Sequence, residues 1–100
     1  MNSSTSRRPT RLRYGALIEI FWGSSVMMGR VRDMSTTGLF IETSDPLWIG
    51  ATFTANLVLH APIQISCTVR RIEPNRGMGA EVLSTDHERW CRFVSDLRAG

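Results

Sequence analysis

Lysine is absent from this chain of 100 residues, so all twelve of its basic side chains are arginine. Arginine carries a planar fork of donors that binds phosphate groups and guanine edges in bidentate fashion. A general preference for arginine codons also explains the bias, because the arginines continue into the C-terminal segment.

The N-terminal segment has no acidic residue before Glu19. Four arginines precede it, at positions 7, 8, 11 and 13. The remaining eight arginines face nine acids, a balance of −1, so the net charge of +3 belongs to this segment.

Long apolar runs are absent as well. No run approaches the ~18 residues that a membrane-spanning helix needs, and the polar N-terminus lacks the apolar core of a secretory signal. We therefore expect a cytoplasmic protein. The chain has only two cysteines, Cys67 and Cys91, both in apolar patterns, which favours reduced, buried thiols over a disulfide. These cysteines and the two histidines, His60 and His87, lack the short paired spacing of a zinc site, so we expect no metal.

The usual signatures of enzymes are missing too. The sequence has no glycine-rich phosphate loop, no G-x-S-x-G elbow around Ser35 and no H-E-x-x-H pair. Neither histidine has a sequence relation to a nucleophile. We therefore expect a binding domain without catalytic activity and without a bound cofactor.

Short apolar runs, rich in β-branched and aromatic residues, follow one another through the middle of the chain. The segments 52–60 and 63–70 alternate apolar and polar residues, the pattern of half-buried antiparallel strands. In the second segment Ile65, Cys67 and Val69 share one face. Four further strands are predicted at 16–22, 26–33, 38–43 and 78–83. Glycine, serine and proline separate these strands and predict turns, including a hairpin at residues 23–25 and a turn at 74–77.

The C-terminal segment changes to a helical period. Its apolar residues recur at i, i+3, i+4 and i+7, namely Trp90, Phe93, Val94 and Leu97. Thr85 and Glu88 fit a capping box, so we predict a helix at about 85–99. Six short strands followed by one helix predict a mainly β fold, a six-stranded antiparallel β-barrel with a C-terminal helix. An open sandwich is the alternative. The barrel and its helix form one predicted domain, residues 11–100, after a flexible basic arm, residues 1–10.

The turn between the second and third predicted strands has an unusual composition. Residues 33–38 read D-M-S-T-T-G. Asp33 and Ser35 favour turns because their side chains bind nearby backbone groups. Gly38 can take a positive φ or let another backbone or a ligand approach closely. Taken alone, these residues are explained by a well-made turn.

Two short motifs together indicate a family. Arg7 and Arg11 form an R-x-x-x-R pair just before the first strand, and residues 33–38 supply D-x-S-x-x-G between the second and third strands. In this order and on this strand pattern, the chain resembles the PilZ domain, the bacterial receptor domain for cyclic di-GMP. The resemblance runs from about Arg7 to the C-terminal helix. It includes the stretch GMGAEVL at 77–83, which is similar to the last strand of the family.

The resemblance implies a split β-barrel of six strands, a C-terminal helix and a flexible arm that wraps over cyclic di-GMP. It implies ligand contacts from the arm and from the turn, namely Arg7, Arg8, Arg11, Asp33, Ser35 and Gly38. Ordering of the arm is expected to create a surface for a downstream protein that the sequence does not identify. Family roles include motility, pili, polysaccharide synthesis or biofilm, and virulence control.

Other interpretations of the same residues remain. The basic arm also suits a non-specific nucleic-acid binder, although the body of the chain has no basic stripe and no interleaved aromatic residues. A PilZ-like adaptor that binds protein without ligand is the second alternative. For Arg13 and Arg70 we favour ordinary solvated side chains over ligand contacts. Trp90 is expected in the core, whereas the pattern does not place Trp22 or Trp48.

Overall fold

The computed structural model describes residues 12–13, 15–58 and 62–99. Within these ranges the chain forms seven strands and one helix. The strands are β1 (Leu12–Arg13), β2 (Leu17–Trp22), β3 (Ser25–Met34), β4 (Gly38–Glu42), β5 (Thr52–Leu57), β6 (Ile63–Glu73) and β7 (Gly77–Val82), and the helix is α1 (Ser84–Ala99). All six predicted strands and the predicted helix are therefore present.

The six longer strands close into an antiparallel barrel. Their order is β3-β2-β5-β6-β7-β4, and β4 returns to pair with β3. This closure confirms the predicted barrel and rules out the open sandwich, because neither edge of the sheet is left unpaired. The short strand β1 adds to the far end of β3, where Leu12 lies opposite Met34 and Arg13 opposite Asp33. It was not predicted, since two residues are too few to show a period.

The barrel core follows the alternation in the sequence. Ile65, Cys67 and Val69 of β6 are almost fully buried, and the inward residues of β5 lie opposite them. The predicted strand at 52–60 ends earlier than expected, at Leu57, and His60 lies outside the described residues. The predicted strand at 63–70 continues further, to Glu73.

The tight turns have the backbone that their residues favour. Gly23 has a φ of 59° at the first position of the two-residue loop between β2 and β3. Glycine meets that requirement of a type II′ hairpin without steric cost. In the turn between β6 and β7, Pro74 is followed by Asn75 with a φ of 66°, and the Arg76 backbone N–H donates to the Glu73 carbonyl. Pro at the second position and a positive φ at the third are typical of a type II turn.

The first of two β-bulges changes which side chains of β3 leave the barrel. Val31 pairs with Ile41 and Asp33 pairs with Phe40, so Arg32 is the extra residue. A bulge lets two consecutive side chains face the same way. Arg32 and Asp33 consequently both lie on the outer face, although strict alternation would have sent one of them into the core.

The second bulge does the same in β6. Val69 pairs with Ala80 and Arg71 pairs with Gly79, which leaves Arg70 as the extra residue. Arg70 and Arg71 are both exposed. The predicted strand stopped at residue 70 because two adjacent arginines break an alternating pattern. The strands β4 and β7 thus run between two bulges, each of which directs two adjacent charged residues outwards.

Helix α1 packs against β6 and β7 at the end of the barrel that carries the β3–β4 turn. Trp90 and Val94 are fully buried in the barrel core, as predicted for Trp90. The Trp90 Nε1 donates to the backbone carbonyl of Ser35 at 2.8 Å. Cys91 is partly exposed and its thiol contacts the Thr36 carbonyl at 3.3 Å, so the prediction of a buried Cys91 is wrong. The Cys91 Sγ also lies 3.5 Å from the Nε2 of His87, one turn earlier in the helix, and the residue stays partly exposed.

The opposite end of the barrel carries two tryptophans. Trp22 and Trp48 meet edge to face, with ring centroids 4.9 Å apart, and both are exposed. No helix in the described part of the chain has the length and apolar composition needed to cross a membrane.

Candidate functional site

A cleft of about 320 Å³ lies on the outer surface of the barrel, between the two bulges. Its size is at the lower end of the range for small-molecule sites. It is lined by the β3–β4 turn, the start of β4, and parts of β6 and β7, namely Ser35, Thr37, Gly38, Leu39, Arg70, Arg71, Gly79, Ala80 and Glu81. The cleft therefore brings two residues of the predicted D-x-S-x-x-G site together with two arginines of β6.

The turn that forms one wall of the cleft is held from both sides. Inside the turn, the Ser35 backbone N–H donates to the Gly38 carbonyl at 2.8 Å. The Ser35 Oγ lies 3.2 Å from the Thr37 Oγ1 and 3.4 Å from the Thr37 backbone nitrogen, the arrangement of a serine turn. From the helix, Trp90 holds the Ser35 carbonyl. Ser35 is consequently 3% exposed and rigidly placed.

Gly38 is required by the fold. A Cβ at this position would overlap the backbone carbonyl of Ala80 in the neighbouring strand β7. The φ of Gly38 is not in the left-handed region, so the backbone conformation does not require glycine. The reason for glycine is the close approach of the two backbones, which was one of the expectations from the sequence. This close approach keeps β4 and β7 together at the floor of the cleft.

Asp33 lies on β3, next to the bulge, and is 7% exposed. Its Oδ2 accepts a hydrogen bond from the Arg32 Nε at 3.1 Å. This bond, reinforced by the charges of Asp33 and Glu73, raises the pKa of Arg32 above its ordinary value. The Arg32 guanidinium, like that of any arginine, is charged at physiological pH. The carboxylate of Asp33 is held in a fixed position on the same outer face as the cleft.

The two arginines of β6 are each paired with a carboxylate. Arg70 Nε lies 2.8 Å from the Glu81 Oε1 across the cleft, and Arg71 Nη2 lies 3.1 Å from the Glu73 Oε2. All four side chains are partly exposed. Exposed pairs of this kind contribute only ~0–1 kcal/mol to stability and are readily exchanged for another anion. The guanidinium groups of Arg70 and Arg71 can therefore exchange their carboxylate partners for a phosphate.

A buried aromatic ring lies under Arg71 and under Arg32 of β3. Phe40 is fully buried, yet it belongs to the outer face of β4 and not to the barrel core. The Arg32 guanidinium carbon lies 3.9 Å from the centre of its ring, and that of Arg71 lies 5.6 Å from it. Both distances fall within the range of cation–π interactions.

The predicted arginines of the arm, Arg7, Arg8 and Arg11, lie outside the described residues, so their part in the site stays a prediction. Of the predicted residues on the barrel, Ser35 and Gly38 line the cleft. Asp33 does not line it; it lies on the same outer face and bonds Arg32. Arg70, treated as solvated from the sequence, is exposed and also lines the cleft.

Several residues of the site were not found from the sequence, namely Arg32, Phe40, Arg71, Glu73 and Glu81. The sequence feature that could have indicated them is the pair Arg70 and Arg71, which interrupts the alternating pattern of β6. The bulge that explains them needs the partner strand to be known, so the sequence alone does not predict it. The described residues contain no group of three or more His, Cys, Asp or Glu side chains placed to hold a metal ion.

Comparisons with known proteins point to one family. The family model for the PilZ domain matches residues 5–98. No curated protein matches the chain. Solved structures that share the fold include two PilZ domains. The PilZ domain of CeSA from a cellulose-synthesizing bacterium is 20% identical, with a TM-score of 0.74 over 89% of this chain and 98% of that one. The PilZ domain of YcgR from Escherichia coli, solved with c-di-GMP, is 16% identical, with a TM-score of 0.70 over 93% and 92%.

Proposed function

Because the chain belongs to the PilZ domain family, we propose that it is a receptor and adaptor domain for cyclic di-GMP in second-messenger signalling. The observation that supports this best is the cleft, which combines the Ser35–Gly38 turn with the guanidinium groups of Arg70 and Arg71. The PilZ domain of YcgR, which has the same fold, was solved with this ligand. The proposed activity is binding, without a catalytic step or a bound cofactor.

The chemistry of the ligand matches the groups on the barrel. Cyclic di-GMP carries two phosphates and two guanine bases. Arginine donates in bidentate fashion to phosphate oxygens and to the O6 and N7 atoms of guanine. A carboxylate such as that of Asp33 accepts from the N1–H and N2–H₂ donors of guanine. In this proposal Asp33 and Ser35 bind a base, and Gly38 keeps the backbone of the turn close to β7.

The arm supplies the second half of the proposed site. The pairing of Leu12 with Met34 and of Arg13 with Asp33 attaches the start of the barrel domain beside the D-x-S-x-x-G turn. Arg11 directly precedes Leu12 in the sequence. We infer that Arg7, Arg8 and Arg11 close over the ligand, and that ordering the arm costs conformational entropy which charge-assisted hydrogen bonds offset. The closed arm then presents a new surface to a downstream protein.

Titration calorimetry with cyclic di-GMP tests the proposal. We expect the wild type to bind with micromolar or tighter affinity, and Arg11→Ala and Asp33→Ala each to weaken binding at least about tenfold, ~1.4 kcal/mol. Arg92→Ala is the matched control. Arg92 is a 76%-exposed arginine on the outer side of α1, so its loss changes the net charge by the same amount as Arg11→Ala without touching the cleft.

The outcomes separate the competing functions. A wild type that shows no binding at high ligand concentration contradicts the receptor function and favours the ligand-independent adaptor. Binding to DNA that falls steeply with salt, together with indifference to cyclic di-GMP, favours the nucleic-acid binder. Equal affinity for the wild type, Arg11→Ala and Asp33→Ala leaves the receptor function in place but contradicts the assignment of these two residues.

A further inference from the structure

Glu73 connects two arginines that come from different bulges. Its Oε2 lies 3.1 Å from the Arg71 Nη2, and its Oε1 lies 3.6 Å from the Arg32 Nη1. The two arginines are on β6 and β3, which are not neighbours in the barrel, since β4 and β7 lie between them. The single carboxylate of Glu73 therefore bridges the outer face of the β4–β7 pair.

The bridge holds both guanidinium groups over one ring. Phe40 lies under them, with Arg32 at 3.9 Å and Arg71 at 5.6 Å from the ring centre. Arginine side chains have several rotatable bonds, and an exposed arginine loses this freedom when it binds a ligand. An arginine already fixed by a ring on one side and a carboxylate at its end pays less of this cost.

Because Gly79 has no side chain, the side chain of Arg71 can lie against its backbone. A Cβ built on Gly79 would be 3.2 Å from the Arg71 Cγ, 3.5 Å from its Nε and 3.7 Å from its Cζ. The side chain of Arg71 thus extends along the backbone of Gly79 before it reaches Glu73. The φ of Gly79 is not in the left-handed region, so close packing, and not backbone conformation, favours glycine at this position.

We propose that Glu73 is a positioning residue of the cleft: it holds Arg71, and through the same carboxylate Arg32, over Phe40 in the orientation that binds the anionic ligand. This inference rests on the proposed function. Charge alone predicts the opposite effect, because a carboxylate near the cleft repels a ligand with two phosphates. Glu81 provides the comparison, since it lines the cleft and pairs with Arg70 but bridges nothing else among the described residues.

Two substitutions that change the charge equally therefore have opposite expected effects. Glu81→Gln removes a competitor for Arg70 and should strengthen binding of cyclic di-GMP about twofold to threefold, the scale of an exposed ion pair. Glu73→Gln also removes one negative charge, yet it should weaken binding about fivefold, because Arg71 loses its fixed position and Arg32 keeps only its hydrogen bond to Asp33. If Glu73→Gln strengthens binding as Glu81→Gln does, Glu73 acts only through its charge and the proposal is wrong.

A double-mutant cycle shows whether Glu73 acts through Arg71. In the background of Arg71→Ala, the effect of Glu73→Gln on affinity should fall to less than half of its value in the wild type, because only Arg32 is left to position. Gly79→Ala should weaken binding without any change of charge, since its methyl group displaces the Arg71 side chain. An undiminished effect of Glu73→Gln in the Arg71→Ala background contradicts the proposal.

Nuclear magnetic resonance tests the positioning without ligand. Arginine Nε–H signals of Arg32 and Arg71 should be shifted by the ring current of Phe40 in the wild type and in Glu81→Gln. In Glu73→Gln the signal of Arg71 should move towards the position of a solvated arginine, and that of Arg32 should move less because its Nε still donates to Asp33. Unchanged signals in Glu73→Gln overturn the proposal whatever the affinities are. A wild type that binds no cyclic di-GMP, but shows these shifts, contradicts the proposed function and the role in affinity, while Glu73 still orders the two arginines.

Discussion

Gly38 shows why a motif residue and a ligand contact are different things. From the sequence, this glycine could serve either the backbone or the ligand. In the structure it lies against the backbone of Ala80, which is sufficient to explain it. Ser35 and Asp33 differ from it, because each has a polar side chain held in a fixed position at or beside the cleft. Loss of binding in a glycine variant would therefore not by itself show contact with a base.

Gly38→Ala should destabilise the protein by about 1–3 kcal/mol, the usual cost of an overpacked site, because the added methyl group separates β4 from β7. Gly15→Ala is the control: its nearest neighbour is the Arg30 Nη1 at 3.9 Å, so the methyl group fits. Urea denaturation of both variants measures the difference. Equal stability of Gly38→Ala and the wild type would mean that the two strands can move apart at little cost.

At the scale of the elements, α1 holds the site from outside the barrel. Besides the contacts of Trp90 and Cys91 with the β3–β4 turn, its first turn is attached to β6. The Asp86 Oδ2 accepts a hydrogen bond from the Ser66 backbone N–H at 2.7 Å, and its Oδ1 accepts one from Arg89 at 3.0 Å. The bond from Ser66 is the main cause that lowers the pKa of Asp86 below its ordinary value.

The lowered pKa of Asp86 predicts a pH-dependent contribution to stability. Because the folded pKa is below the unfolded one, the contribution is complete above the unfolded value of about 4 and is lost as the pH falls through the folded value. Asp86→Ala should therefore lower the free energy of unfolding by about 2 kcal/mol at pH 7. The difference from the wild type should narrow as the pH falls below about 4.

Asp96→Ala provides the control for this prediction. Asp96 is an exposed aspartate on the same helix, and the hydrogen bonds and ion pairs of the described residues do not include it. Its removal should change stability by less than about 0.5 kcal/mol. Denaturant titrations at several pH values compare the two variants. A constant difference between Asp86→Ala and the wild type down to pH 2 would contradict the role of the charged carboxylate.

At the scale of the whole molecule, closure of the barrel keeps reagents in solution out of the core unless the domain unfolds globally. Cys67 lies at its centre and is fully buried, and this burial raises the pKa of its thiol to about 12. Cys91 lies outside the core and is partly exposed. A thiol reacts through its thiolate and only where reagent reaches it. The two cysteines therefore report separately on the surface and on the core.

A chromogenic disulfide reagent at pH 8 should modify one thiol per chain rapidly. It should modify the second thiol only at the rate at which the barrel unfolds. Cys91→Ser should lose the rapid phase and keep the slow one, which assigns the phases. The logarithm of the slow rate should rise linearly with urea, with the slope of the unfolding arm of the folding kinetics. Two rapid phases in the native protein would show that the barrel opens locally around β6.

The six longer strands, the helix and the inward face of β6 were predictable because local periodicity reports which side chains are buried. The bulges at Arg32 and Arg70 were not, since a bulge is a relation between two strands and leaves no period in either one. Arg32 and Glu73 are 41 positions apart, and only closure of the barrel brings them to the same face. The turn motif of the site, Asp33, Ser35 and Gly38, was visible in the sequence. The arginines and carboxylates around Phe40 were not, because their arrangement depends on long-range strand pairing, which no local pattern encodes.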